Sequence, residues 1–395
     1  MVAGRTDRTI FVITIVLSLI GIAMVYSSTS VSPVTGAPSF YFLKKHLLTF
    51  LIGLFLLIIF ANIELSLIKR LAIPGIILSL GLLLLVFSDL GLSAGGARRW
   101  IRLWPTAFQP SEFAKLSFVL FLSWYMSRKD YNPHSFQYMI IPVFVMGVFQ
   151  AIFIKQPDFG AFMSLGILAL AMIYLSGMRI RYIATLGVVL IPVVYYLIKE
   201  PYRWKRIVSF LDPWKDSTGS GFQLIQSLIA FGSGGITGVG LGESKQKLLY
   251  LPAIHNDFIF SLIGEELGFL GASLVVILFM WLFVRGMSVA RRARDTFSYY
   301  LASGISLMIG IQAIVNFAVS TGLAPTKGLP LPFISYGGSS LVVNMIAVGM
   351  LLNISRNSEY ILKEELRPRD LLMEKKRAIV RMRRRSAFKV AEGCK

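Results

Sequence analysis

The sequence has few of the residues that build the commonest chemical sites of soluble proteins. Its one cysteine, Cys394, is the next-to-last residue, which excludes a disulfide within the chain. There are three histidines, and the sequence has no zinc-ligand spacing, no Ser/His/Asp set and no Walker loop. Only 15% of the residues are charged. The sequence therefore does not indicate a zinc site, a serine-hydrolase triad or a nucleotide-binding P-loop.

Apolar residues are abundant instead. They make up 55% of the 395 residues, and the mean hydropathy is +0.69. A soluble domain could not bury that much apolar surface, so we predict an integral membrane protein. The net charge of +20 is explained more simply by contact with anionic lipid than by nucleic acid, which we do not expect as a partner. The first apolar segment is long enough to span a membrane and lacks a convincing cleavage site, so no cleavable signal is predicted.

Ten apolar segments are long enough to cross a bilayer, which needs about 20 residues per helix. We predict an all-α polytopic membrane protein with one membrane domain, 1–355, and a basic cytoplasmic tail, 356–395. A large extracytoplasmic loop, 199–256, separates the seventh and eighth spans. The even count, Arg5, Arg8 and the basic tail place both termini in the cytoplasm, although the short 155–158 connection leaves one pair of spans uncertain. The predicted spans are 10–28, 46–63, 71–88, 111–127, 138–154, 159–177, 182–198, 257–284, 298–320 and 339–355.

Many cations fall on the predicted outer face, where membrane insertion would favour fewer of them. Long loops translocate regardless of charge, so the excess can be incidental. The alternative is recognition of phosphate at the outer leaflet. These cations are Arg98, Arg99, Arg102, Lys199, Arg203, Lys205, Arg206, Lys215, Lys245 and Lys247.

The long outer loop contains a glycine-rich segment at 232–242. Its GxGxG spacing follows no predicted strand, so we predict a flexible or re-entrant loop rather than a nucleotide-binding fold. Before it, residues 223–231 have the pattern of a short amphipathic helix resting on the membrane surface.

Asp257 is the most informative acid, because it lies where this polar loop enters an apolar span. Burying a carboxylate at a membrane boundary is costly, so an acid there usually has a chemical role or a partner. Farther along the same predicted span, Glu265 and Glu266 are interpreted as structural, with Gln312 or Asn316 of the ninth span as a polar partner for one of them.

Other ionisable residues have two interpretations each. Glu112 and Lys115 share a helix face and can form a structural pair, or Lys115 can hold phosphate while Glu112 orients it. Asp158 can cap the sixth span or belong to a site. Arg99 and Trp100 suit recognition of phosphate and sugar, although tryptophan is also common at membrane interfaces.

The segment 325–340 contains three prolines and three glycines, so a helix cannot continue through it. Non-helical backbone at membrane depth survives only when it is buried in protein or lines a wet cavity. We predict that this segment shapes a substrate entrance, and we assign Lys327 and Ser335 to substrate binding.

Six motifs follow one another along the chain, namely ARRWI at 97–101, QPSEFAK at 109–115, QPDFG at 156–160, HNDFIF at 255–260, GEELG at 264–268 and PFISYGGSS at 332–340. With these motifs in this order, the sequence resembles the SEDS family, whose members include FtsW, RodA and SpoVE. Short matches at 246–248, 325–328 and 352–356 favour the FtsW branch over RodA. Asn256 and Ala253 depart from the Thr and Glu that are usual in the family.

This resemblance implies a peptidoglycan glycosyltransferase that polymerises lipid II at the outer face of the inner membrane, at the division septum. It implies a class B penicillin-binding protein and other divisome membrane proteins as partners. The family's essential acid falls on Asp257, its essential cation on Lys115, and its Arg-Trp pair on Arg99 and Trp100. A divalent metal, Mg²⁺ or Mn²⁺, is compatible with a site that holds pyrophosphate, and the sequence leaves the metal requirement open. A lipid II flippase and a non-catalytic division scaffold remain as alternatives, which polymer formation from lipid II in detergent would separate.

Overall fold

The computed structural model describes residues 6–29, 40–94, 97–102, 107–217, 219, 221–246, 257–326 and 328–357. These residues form helices and one small sheet. The predicted cytoplasmic tail lies outside them apart from its first two residues, 356–357, which end the last helix. The helices are α1 Arg8–Thr29, α2 Phe40–Asn62, α3 Leu65–Arg70, α4 Ala72–Leu85, α5 Pro110–Met126, α6 Gln137–Lys155, α7 Phe159–Leu175, α8 Ile180–Ile198, α9 Pro201–Leu211, α10 Phe222–Gly234, α11 Ile259–Glu266, α12 Gly268–Arg291, α13 Thr296–Ser320 and α14 Gly338–Asn357.

The predicted polytopic all-α architecture is confirmed. Nine of the ten predicted spans coincide with one helix each, and the eighth coincides with two. Among the described residues, six helices are long and apolar enough to cross a membrane, namely α1, α2, α6, α12, α13 and α14. The helices α4 and α7 are apolar but shorter. At the centre of the bundle, α13 packs against α5, α7 and α12.

The predicted eighth span, 257–284, is wrong as a single helix. It is divided at Leu267 into α11 and α12, because Gly268 adopts a φ of +67°, in the left-handed region that favours glycine. The amide groups of the first turn of α12 find acceptors outside the helix. Phe269 N donates to Gly235 O at 2.9 Å, and Leu270 N donates to Ile236 O at 3.1 Å.

The glycine-rich segment is therefore packed against the break between α11 and α12 rather than left as a flexible loop. Val239 N donates to Glu265 O at 3.0 Å, and Gly240 N donates to Glu266 O at 3.1 Å. Glycine is required at Gly238, where φ is +85° and an added Cβ would lie 2.2 Å from Glu266 O. The segment satisfies the carbonyls that end α11, as buried backbone requires.

The amphipathic helix predicted at 223–231 is present as α10. One of its faces is buried in the protein, where Ser227 Oγ donates to Ser320 O of α13 at 2.6 Å. Leu228 and Ile229, on its other side, are exposed. The helix therefore packs against the bundle as well as presenting an apolar face outward.

A three-stranded antiparallel sheet connects α4 to α5, and the sequence pattern does not predict it. Its strands are β1 Gly91–Ala94, β2 Ala97–Arg102 and β3 Ala107–Phe108, with β2 in the middle. In β2, Ala97 and Ile101 are buried while Arg98 and Arg102 are exposed. The sheet fixes the direction of the arginine-rich segment, including Arg99.

We predict that Gly238→Ala destabilises the protein by about 1–3 kcal/mol, because alanine is strained at this φ and its Cβ meets a backbone carbonyl. The matched control is Gly232→Ala in α10, where an added Cβ meets nothing within 4 Å. That change should stabilise by about 0.5–1 kcal/mol. Thermal unfolding in detergent measures both. Equal melting temperatures for the two variants would contradict the packing described for the glycine-rich segment.

Candidate active site

Asp257 lies two residues before α11, outside the described spanning helices, and is partly buried. Its backbone carbonyl accepts a hydrogen bond from Asn316 Nδ2 of α13 at 3.0 Å. Its carboxylate lies against Gly328, where an added Cβ would be 2.9 Å from Asp257 Oδ2. The acid is thus enclosed between α13 and the connection from α13 to α14.

Two arginines from distant parts of the chain act on this carboxylate. Arg206 of α9 donates to Thr326 O at 3.0 Å, and Arg99 of β2 donates through Nη2 to Pro157 O. Burial raises the pKa of the Asp257 carboxyl from 3.8 to about 6, although the positive charges of Arg206 and then Arg99 act to lower it. A carboxyl with a pKa near 6 is ionised at neutral pH and can accept a proton in a reaction.

The connection between α13 and α14 contains what we call the proline loop, defined by its described residues 325–326 and 328–332. Two amides on one face of α13 bind it. Asn316 Nδ2 donates to Leu329 O at 2.8 Å, and Gln312 Nε2 donates to Pro330 O at 2.9 Å. Because the loop is not helical, its carbonyls need donors from elsewhere in the protein.

Glu265 and Glu266 are both buried, as expected for structural residues, but the partners predicted for them were wrong. Glu265 accepts from Ser244 Oγ and, at 3.0 Å, from Lys245 N. Glu266 Oε1 accepts from Ser27 Oγ of α1 at 2.5 Å. Instead of binding Gln312 or Asn316, the two acids tie the end of α11 to the long outer loop and to α1.

Lys115 and Glu112 form the predicted pair. Lys115 Nζ lies 2.8 Å from Glu112 Oε1, and each side chain is only 3% exposed. Lys115 Nζ also donates to Gln312 Oε1 at 3.3 Å. A small cavity beside Lys115 is lined by Ser164, Leu168, Met308, Ile311 and Gln312. Glu112 therefore neutralises the ammonium group inside the bundle. Its other partner, Gln312, lies about one helical turn along α13 from Asn316, the residue that binds Asp257 O.

Asp158 caps α7, which was one of its two interpretations. Asp158 Oδ1 accepts from Ala161 N at 3.1 Å. Its other oxygen accepts from Ser111 Oγ at 3.4 Å and from Gln109 Nε2 at 3.5 Å, at the start of α5. The acid therefore joins α7 to α5.

The remaining predicted site residues are dispersed. Trp100 is half-buried on β2, next to Arg99. Ser335 is buried, and its hydroxyl accepts from Leu331 N at 2.8 Å within the connection to α14. Lys327 lies outside the described residues, so its predicted substrate contact stays a prediction.

Arg206, Gly328 and the role of the two α13 amides were not singled out from the sequence. Gln312 and Asn316 were named only as partners for Glu265 or Glu266, although two polar residues four positions apart on an apolar helix also indicate a shared polar face. Arg206 appeared only as one of ten outer cations, and nothing in the sequence distinguished it from the others.

The residues around Asp257 do not fit a protein-built site for Mg²⁺ or Mn²⁺. Within the part of the chain that the structure describes, no group of three His, Cys, Asp or Glu side chains could hold a metal ion. The charged groups that act on Asp257 are guanidinium groups. We therefore derive no step through a metal.

Comparisons with known proteins find relatives that are similar in sequence and in fold over most of the chain. The family model FTSW_RODA_SPOVE, described as "Cell cycle protein", matches residues 7–360. The chain is 43% identical over 355 residues to "Probable peptidoglycan glycosyltransferase FtsW" of Geobacter sulfurreducens, covering 89% of this chain and 95% of that protein. It is 41% identical over 359 residues to "Stage V sporulation protein E" of Bacillus subtilis, covering 90% and 98%. A solved structure described as "Structural coordination of polymerization and crosslinking by a peptidoglycan synthase complex" matches with a TM-score of 0.75 at 28% identity, covering 90% of this chain and 98% of that one.

We predict that Lys115→Met alone destabilises the protein by about 3–5 kcal/mol, because it leaves Glu112 buried without its partner. The double variant Lys115→Met with Glu112→Leu should recover most of that loss, since it removes both charges. Thermal unfolding of the detergent-solubilised variants measures this. An unchanged melting temperature for Lys115→Met would show that the pair is not structural.

Proposed function

Because this chain belongs to the FtsW/RodA/SpoVE family of cell-cycle proteins, we propose that it is a peptidoglycan glycosyltransferase that polymerises lipid II at the outer face of the cytoplasmic membrane. The observation that carries the proposal is the environment of Asp257. One partly buried carboxyl, with its pKa raised to about 6, lies under the influence of two arginines. This is the arrangement of a general base that acts close to a phosphate-bearing substrate.

In the proposed reaction Asp257 removes the proton from the sugar 4-hydroxyl of one lipid II. The freed oxygen attacks the anomeric carbon of the growing glycan or of a second lipid II. The new C–O bond forms as the bond from that carbon to the pyrophosphate oxygen breaks, with inversion at the carbon. Undecaprenyl pyrophosphate leaves with the electron pair, and the proton stays on Asp257.

The arginines are the proposed stabilisers of the leaving pyrophosphate. Within the described part of the chain, Arg99 Nε is buried and has no hydrogen-bond partner, so this donor is proposed to bind the anion. Arg206 donates to Thr326 O in the proline loop, two residues before Gly328, which contacts the Asp257 carboxylate. Lys115 is the expected cation that fits this task less well, because Glu112 neutralises it in the bundle.

The other expected substrate contacts keep distinct roles in the proposal. Trp100 lies next to Arg99 on β2 and offers an aromatic plane to a sugar. Glu112 and Asp158 act by holding Lys115 and the start of α5, and Ser335 by holding its own loop. Lys327 is proposed as a further cation for the substrate, on the basis of its sequence alone.

The protein is embedded in the membrane with many spans, and we propose that both termini are cytoplasmic. The structural relative is a peptidoglycan synthase complex that coordinates polymerisation and crosslinking. By analogy, the proposed partners are a class B penicillin-binding protein and other membrane proteins of the divisome. The similarity to FtsW supports placement at the division septum.

Asp257→Asn should abolish polymerisation of purified lipid II in detergent, because the amide cannot accept the proton, while the melting temperature stays near that of the wild type. The control is Asp130→Asn, which removes an exposed carboxylate paired with Arg128 at 2.8 Å. It should keep full activity. Full activity of Asp257→Asn would end the assignment, and a wild-type protein that makes no polymer would favour a flippase or a scaffold.

The pH dependence of polymerisation provides a separate test of the base. As pH falls through about 6, Asp257 becomes protonated, so the rate should fall on the acidic side with a midpoint near that value. Arg206 lowers this pKa more than Arg99 does, so Arg206→Gln should move the midpoint to higher pH. A midpoint near 3.8, the ordinary carboxyl value, in both proteins would contradict the described environment.

A further inference from the structure

Asn316 connects the proposed base to the loop that faces it. Its single Nδ2 group donates both to Asp257 O, at 3.0 Å, and to Leu329 O, at 2.8 Å. Leu329 directly follows Gly328, the residue in contact with the Asp257 carboxylate. The Asn316 side chain therefore binds the backbone of Asp257 and also the backbone of the residue that follows Gly328.

The orientation of this amide is fixed by its surroundings. Both neighbours of Nδ2 are carbonyl oxygens, which can only accept, so the nitrogen has to face them. Asn316 is 2% exposed, and its buried Oδ1 has no hydrogen-bond partner among the residues that the structure describes. Leaving a buried carbonyl oxygen unpaired is unfavourable. The side chain keeps this orientation because Nδ2 donates its two hydrogen bonds there, so those two bonds are the structural role of Asn316.

Three side chains of the described residues donate hydrogen bonds to backbone carbonyls of the proline loop. Arg206 donates to Thr326 O, Asn316 to Leu329 O and Gln312 to Pro330 O. The first and third of these attachments fix the loop to α9 and α13 without contacting Asp257 O. Of these three side chains, Asn316 is the one that binds both the acid and the loop through the same atom.

We propose that Asn316 is a positioning residue for the transfer reaction. It holds the backbone of Asp257 next to Gly328, so that the Asp257 carboxylate meets the acceptor hydroxyl. This inference rests on the proposed function. Asn316 itself contacts backbone and not substrate in this arrangement. Its loss lets Asp257 and the proline loop move independently, and a misplacement of 1 Å at a reacting group can cost about 10²-fold in rate.

The chain contains a matched control for this role. Asn353 of α14 is also buried, at 0% exposure, and its Nδ2 also donates to two backbone carbonyls, Phe60 O and Ile63 O. These carbonyls lie at the end of α2 and just after it, away from the site. Asn353→Leu therefore removes a comparable pair of donated hydrogen bonds, together with the bond that Asn353 Oδ1 accepts from Asn357 Nδ2 at 3.0 Å, without touching Asp257.

The experiment measures kcat and KM for lipid II polymerisation, together with melting temperature, for the full chain in detergent. For Asn316→Leu we expect kcat to fall about 10²-fold with KM within about twofold of the wild type. Asn316→Ser fits the same space but cannot reach either carbonyl, so it should show the same loss of kcat with a smaller loss of stability. Asn353→Leu should lower the melting temperature and leave kcat of the folded protein unchanged.

The outcomes separate this inference from the proposed function. If the wild type forms no polymer, the proposed function fails and takes the inference with it. If the wild type polymerises lipid II and Asn316→Ser retains its kcat, the inference alone is overturned. Equal losses of kcat in Asn316→Leu and Asn353→Leu would likewise show that the residue is merely structural.

Discussion

The structure depends on one constraint, which is that backbone polar groups buried in the protein or in the membrane need hydrogen-bond partners within the protein. Helices meet this requirement internally, so the informative places are those where a helix stops. At Leu267 the glycine-rich segment supplies donors and acceptors to both sides of the break. In the proline loop, amides of α13 supply the donors. The proline loop contacts Asp257, and the glycine-rich segment binds the far end of α11, the helix that follows Asp257. The segments that satisfy the backbone hydrogen bonds therefore also surround the site.

Charge obeys the same constraint. A carboxylate that leaves water is costly unless a partner compensates it. Glu265, Glu266, Glu112 and Asp158 are compensated by hydrogen bonds or by Lys115, and they join elements together. The Asp257 carboxylate differs, because burial raises its pKa while two arginines influence it from a distance. That difference makes it the acid suited to exchange a proton rather than to hold the fold.

Sequence patterns predicted the spans because an apolar run of fixed length is a direct consequence of bilayer thickness. They also located Asp257, since an acid at the edge of such a run is conspicuous. The break at Leu267, the sheet formed by β1, β2 and β3, and the contacts of Arg206 were not predicted. Each of these depends on segments that meet only after folding, such as Gly238 against Glu266 O. Lys115 shows the same limit, because its spacing allowed both a structural pair and a phosphate site, and the geometry places it 2.8 Å from Glu112.

The central claim is that Asp257 is held as a base with its pKa near neutrality, and infrared titration of its carboxyl tests this most directly. The difference between the wild type and Asp257→Asn isolates the C=O stretch of the protonated acid. As the pH rises, this band should disappear with a midpoint at about pH 6, because Asp257 loses its proton there. A band already absent at pH 5, as for a carboxyl with the ordinary value of 3.8, would contradict it.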